Sequence, residues 1–83
     1  MTNKRLIWND HSAERLRRRG ITRQMVRVTL ETGLPGEAVT APGAEQRHAK
    51  RLYFGTHEMQ VVYIERATER LIVTVEWLDY WKV

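Results

Sequence analysis

The spacing of apolar residues changes once along this chain, and that change fixes most of what it can fold into. Up to residue 33 it follows the period of about 3.6 of a helix; after residue 45 it follows the period of about two of a strand. Residues 47–54, 57–65 and 70–77 are runs rich in Val, Ile and Tyr, separated by Gly55-Thr56 and by Arg66-Ala67-Thr68-Glu69. Connections this short join antiparallel neighbours, so the second half predicts a three-stranded antiparallel meander. Between the two patterns, residues 34–45 hold Pro35, Gly36, Pro42 and Gly43 and read as a loop.

The first half has its own punctuation. Leu6-Ile7-Trp8 predicts a short strand, and Asn9 or Asp10 caps a helix beginning near His11. Gly20 is placed to end that helix in a left-handed conformation, and Thr22 caps a second one. Met25, Val26, Val28 and Leu30, with Val39 beyond, predict its core face, while Arg23 and Arg27 lie on the opposite side. Gly33 ends it, and the short turn between the helices predicts that they pack as a hairpin. The expectation is an α+β fold in one domain spanning residues 1–83: a short N-terminal strand, a two-helix hairpin over about 10–33, the loop, an antiparallel sheet over 46–77 and an aromatic tail over 78–83.

Composition narrows the function classes. With 83 residues and no cysteine, the chain has one modest core and neither disulfides nor thiolate chemistry, and a reducing cytoplasm is the expected location. No apolar run approaches the roughly 20 residues that span a bilayer. The basic start leads into Leu6-Ile7-Trp8, too short for a signal-peptide core, so no membrane partner is expected. The net charge of +4 is uneven: eight bases and three acids through Gly33 leave +5 there and −1 beyond. A basic half rich in Arg favours phosphate-bearing polyanions or an acidic partner.

Within it, a helical period stacks His11, Arg15 and Arg19 along one side at i, i+4 and i+8. An imidazole in line with guanidinium groups suits holding a phosphate and moving a proton beside it. Arg17 falls on a different side, and Arg18, Arg23 and Arg27 add charge for binding nucleic acid.

In the sheet, a two-residue hairpin at Gly55-Thr56 pairs Phe54 with His57, Lys50 with Val61 and His48 with Tyr63. A second at Ala67-Thr68 pairs Tyr63 with Ile72 and Val61 with Thr74. One face then carries His48, Lys50, Phe54, Tyr63, Thr74 and Glu76. The other carries Ala49, Arg51, Val62, Ile64, Leu71, Val73, Val75 and Trp77, the expected core. A one-residue slip exchanges Lys50 for Arg51, so both stay candidates for the polar face. The three histidines lack a nearby carboxylate pair, and no metal or cofactor is expected.

The segment His11-Ser12-Ala13-Glu14-Arg15-Leu16 with Arg19-Gly20-Ile21-Thr22 resembles the N-terminal signature of the domain of unknown function 4258 family. The Lys50-Arg51, Val61-Val62-Tyr63 and Ile72-Val73-Thr74-Val75 strands resemble its remaining blocks, over about residues 7–77. Ser12 departs from the usual alanine. The family is similar to the small RNase toxin folds that include RelE/ParE-like toxins, barnase-like nucleases and colicin nuclease domains. The resemblance implies a nuclease site at His11, Arg15 and Arg19, Lys50 or Arg51, and Thr74.

The leading expectation is therefore a toxin-like, metal-independent endoribonuclease acting on RNA, with a cognate antitoxin protein as a further partner. His11 would be the acid or base, the cations would clamp phosphate, and Thr74 would hydrogen-bond a phosphate oxygen. The alternatives are a non-catalytic module that binds nucleic acid or an acidic protein through the arginines, and a relative of the same fold that recognises a protein through Tyr80 and Trp81.

Overall fold

The computed structural model describes residues 4–78. Strand β1 (Arg5–Ile7) leads into helices α1 (Asp10–Arg19) and α2 (Arg23–Thr32). The strands β2 (Leu34–Pro35), β3 (Arg47–Phe54), β4 (His57–Glu65) and β5 (Glu69–Trp77) follow. The helix ends follow from side chains at both caps. Asn9 accepts from the Ser12 backbone N–H at 2.8 Å, and the buried Ser12 hydroxyl accepts from the Asn9 N–H at 3.1 Å. Gly20 turns out of α1 at φ 65°, and Thr22 caps α2 by accepting from the Met25 N–H at 3.1 Å.

The α+β class is as expected, but the sheet is larger than the meander and is mixed. Its order is β1-β5-β4-β3-β2, with β1 parallel to β5 and every other pairing antiparallel. Residues 34 and 35, expected in the loop, form β2 and extend the far edge by pairing Leu34 with Arg51. Nor do the helices pack chiefly on each other as a hairpin. α1 lies along β5 and α2 across β3 and β4, because each buries its apolar stripe on the sheet.

The first strand hairpin has the expected register, Phe54 opposite His57 and Lys50 opposite Val61. In the second, Tyr63 pairs with Ile72, but a bulge then passes over Val73, so that Val62 faces Thr74 and Val61 faces Val75. This corrects the expected core. The helices cover Met59, Val61, Tyr63 and Ile72, not Val62, Ile64, Leu71 and Val73, and past the bulge Val75 joins them with Trp77 packed beside it. Leu16, Ile21, Val26 and Leu30 supply the helical side of that core. Val39, expected to extend the α2 face, is instead 86% exposed on the loop. That loop begins by crossing to the opposite sheet face, where Gln60 Nε2 donates to the Glu37 carbonyl at 3.1 Å.

Candidate active site at the edge of strand β5

β1 runs beside β5 only as far as Leu71. Trp8 and Asn9 then lead the chain out of the sheet, and α1 continues along β5. Beyond the bulge, the outer edge of β5 is therefore flanked by a helix, and a groove forms where β1 would continue if it ran on. His11, Arg15 and Arg19 from α1 line it together with Arg47, Thr74 and Glu76 from the sheet. The helical line and Thr74 thus meet in one place, although Thr74 lies on the face away from the helices. The groove wraps the edge of β5, which lets side chains from both sides of the sheet line it.

Two hydrogen bonds hold the helix against this edge. Arg19 Nη1 donates to the Val75 carbonyl at 2.6 Å, and Trp77 Nε1 donates to the Arg19 carbonyl at 2.8 Å. The first places a cation on a strand carbonyl past the end of the β1 pairing. The second satisfies one of the carbonyls that every helix leaves without an intrahelical partner in its last turn. Arg19 retains further N–H donors after serving Val75. Arg15 is half-buried and His11 exposed, with the groove before them.

The remaining expected residues are placed elsewhere. Lys50 lies on the helix-covered face two strands from β5, and its ammonium donates to the Leu30 carbonyl at 2.9 Å near the end of α2. There it complements the negative end of the helix dipole. Arg51 points to the other face and pairs with Glu58 at 3.8 Å. Arg47 is the β3 cation that lines the groove. Arg23 sits over the Trp8 ring at 5.4 Å, and Arg27 is exposed on α2; neither lines the groove. Arg18, also exposed, borders a second hollow with Arg15, Arg19 and Trp77. Tyr80 and Trp81 lie outside the described residues.

Five lining residues were not legible in the sequence as site residues: Arg47, Glu76 and Trp77, with the apolar Val73 and Leu78. For Glu76 a signal existed, since it follows Thr74 by two positions on one strand. Arg47 had none, because its approach to α1 depends on the order of strands and on how the groove wraps the edge.

The histidines occupy separate regions. His48 stacks obliquely near Tyr63 with ring centroids 5.7 Å apart, and His57 stands edge-on to Trp77 at 6.1 Å. Among the described residues, no cluster of three His, Asp or Glu side chains is arranged to hold a metal ion. Burial pushes the Tyr63 hydroxyl above its ordinary pKa, with Arg70 opposing and Glu65 adding to the rise. Tyr63 therefore serves as a neutral packing residue at neutral pH. No described helix is long and apolar enough to cross a membrane. No protein-family model matches this chain, and neither a curated protein nor a solved structure matches it.

Proposed function

We propose that the chain is a small, metal-independent endoribonuclease that cleaves RNA in the groove between α1 and the edge of β5. One observation carries this reading: an imidazole, a carboxylate, a hydroxyl and three guanidinium groups line a single groove. The proposed relation to the domain of unknown function 4258 family and the small RNase toxin folds supports the same assignment for His11, Arg15, Arg19 and Thr74.

RNA carries its own nucleophile. The 2′-hydroxyl loses its proton to a base and attacks the neighbouring phosphorus. The bond to the 5′-oxygen breaks, and that oxygen takes a proton from an acid, leaving a 2′,3′-cyclic phosphate and a 5′-hydroxyl. We assign the two proton transfers to His11 and Glu76, the imidazole and the carboxylate that line the groove. Charge builds on the phosphoryl oxygens as the phosphorane forms, where Arg15 and Arg47 offer planar N–H forks and Thr74 a hydroxyl. Arg19, tied to Val75, holds the helix to the strand and adds a fixed positive charge.

The test is incubation of the purified chain with single-stranded RNA and with DNA of the same sequence, in the presence of EDTA. The expected result is RNA cut to cyclic-phosphate ends, DNA left intact for want of a 2′-hydroxyl, and a rate lower by about 10²–10⁴-fold in His11→Ala. The reading fails if neither free RNA nor ribosome-bound message is cut, or if His11→Ala cuts equally well. Salt-sensitive RNA binding without cleavage would instead assign the arginines to a non-catalytic nucleic-acid-binding module. A toxin role further requires a cognate antitoxin, seen as a protein that binds the folded chain and stops cleavage.

A further inference from the structure

Beside the groove lies a second hollow, lined by Arg15, Arg18, Arg19 and Trp77. Arg15, Arg19 and Trp77 border both, so the two adjoin. Trp77 thus shares the wall of this hollow with three arginines. Trp77 packs against the core along part of its surface and remains partly exposed toward this hollow. Its ring is also held in place. The N–H, which lies in the ring plane, is committed to the Arg19 carbonyl at 2.8 Å, and the His57 ring crosses it at 71°. A fixed aromatic surface with cations at its border offers a base a stacking partner and the flanking phosphates a charge partner.

We infer that this hollow is a nucleotide seat, in which one base of a single-stranded RNA stacks on Trp77 while Arg15 and Arg18 hold the phosphates beside it. The inference rests on the proposed RNA-cleaving role of the adjoining groove and extends it. Because Arg15 and Arg19 are common to both hollows, the seated nucleotide flanks the scissile phosphate. Stacking needs an unpaired base, so the substrate class is single-stranded RNA and not the duplex. The indole N–H is already spent on Arg19, so Trp77 contributes stacking and no hydrogen bond to the base.

Fluorescence tests the seat without any cleavage. The chain has three tryptophans, so a Trp8→Phe, Trp81→Phe variant leaves Trp77 as the sole tryptophan, excited selectively over the three tyrosines. It is titrated with a short 2′-O-methyl RNA, which lacks the nucleophile, and with an abasic oligonucleotide of equal length and charge. The base-bearing strand is expected to quench Trp77 saturably. The abasic strand is expected to bind about tenfold or more weakly, with no quench. Arg18→Gln should weaken both strands alike, and His11→Ala should leave the quench in place. Equal affinity for the two strands, binding without a change in Trp77 emission, or no binding at all overturns the seat. Quenching without cleavage of natural RNA would retain the seat and remove the nuclease; cleavage without quenching would do the reverse.

Discussion

Trp77 and Arg19 are joined by a hydrogen bond across the boundary between sheet and helix, and Arg19 returns a second one to the same strand. The Trp77 indole N–H donates to the Arg19 carbonyl at 2.8 Å, while the Arg19 guanidinium returns to the carbonyl of Val75, two residues before Trp77, at 2.6 Å. The two bonds close the end of α1 onto β5 beside the groove. Replacing Trp77 by Phe keeps an aromatic ring but removes the donor. Unfolding in urea is expected to show a loss of about 1–2 kcal/mol, from the hydrogen bond and the reduced contact area. An unchanged midpoint would show that this lock contributes nothing to stability.

Gly33 has a tighter requirement than a turn alone would impose. Its φ of −72° is open to any residue, so conformational freedom is not the reason for glycine here. A Cβ at this position would collide with the Thr29 carbonyl oxygen and would lie 2.8 Å from that of Arg51. Both atoms are backbone, one in α2 and one in β3, and neither can rotate away. Gly33→Ala should therefore cost about 1–3 kcal/mol through overpacking. The comparison that checks it is Gly36→Ala. There the closest atom to a new Cβ is the Oε1 end of Gln60, a side chain that can give way at the cost of its bond to Glu37, and thermal unfolding should show the smaller loss.

The parts of the fold visible in the chain are those set by local chemistry. Asn9, Gly20 and Thr22 mark the helix ends through their own side chains or backbone, and Gly55-Thr56 fixes the register of the first strand hairpin. The bulge at Val73 has no such marker, since it lies in the apolar run Leu71-Ile72-Val73-Thr74-Val75, where any residue fits a strand. Lys50 also misdirects the choice of core face. A charged residue alternating with the apolar positions argues for solvent, yet its stem lies on the covered face while its ammonium reaches Leu30 at the end of α2. The parallel pairing of β1 with β5 joins residues some sixty positions apart and leaves no trace in the spacing. For the site, helical period identifies the His11-Arg15-Arg19 line, but Arg47 joins it only through tertiary structure.

The β1 edge carries a titratable staple. Glu65 accepts from Lys4 Nζ at 2.6 Å and from Arg70 Nε at 3.1 Å, and Lys4 also donates to the Arg66 carbonyl at 2.8 Å. Burial pushes the Glu65 carboxyl upward, but the hydrogen bonds from Lys4 and Arg70 and their charges outweigh it and hold the group below its ordinary value. A carboxylate lowered in this way contributes stability that is present above its unfolded pKa of about 4.3 and is lost as pH falls through the folded value. Urea midpoints measured downward from pH 6 should therefore fall more steeply below about pH 4.3 in the natural chain than in Glu65→Gln. Parallel curves for the two would show that the staple is not linked to folding.

Arg47 and Lys50 lie three residues apart on β3, and opposite kinds of loss are expected from them. Lys50→Met removes the donor at the end of α2 and leaves the Leu30 carbonyl without that partner, so stability should fall by about 1–2 kcal/mol. Lys50 does not line the groove, and the proposed RNA cleavage should keep its rate in the folded variant. Arg47 is exposed, and its backbone N–H, which bonds Thr40 Oγ1 at 2.8 Å, survives a side-chain change. Arg47→Gln should leave unfolding within about 0.5 kcal/mol of the natural chain, as surface changes do. Its cleavage rate should nevertheless fall by about tenfold or more, through the loss of a charge-assisted phosphate contact. Measuring both properties on both variants decides which β3 cation serves the proposed RNA site. Slowed cleavage in Lys50→Met at full folding, with Arg47→Gln unaffected, would move the site from the β5 edge to the far side of the sheet.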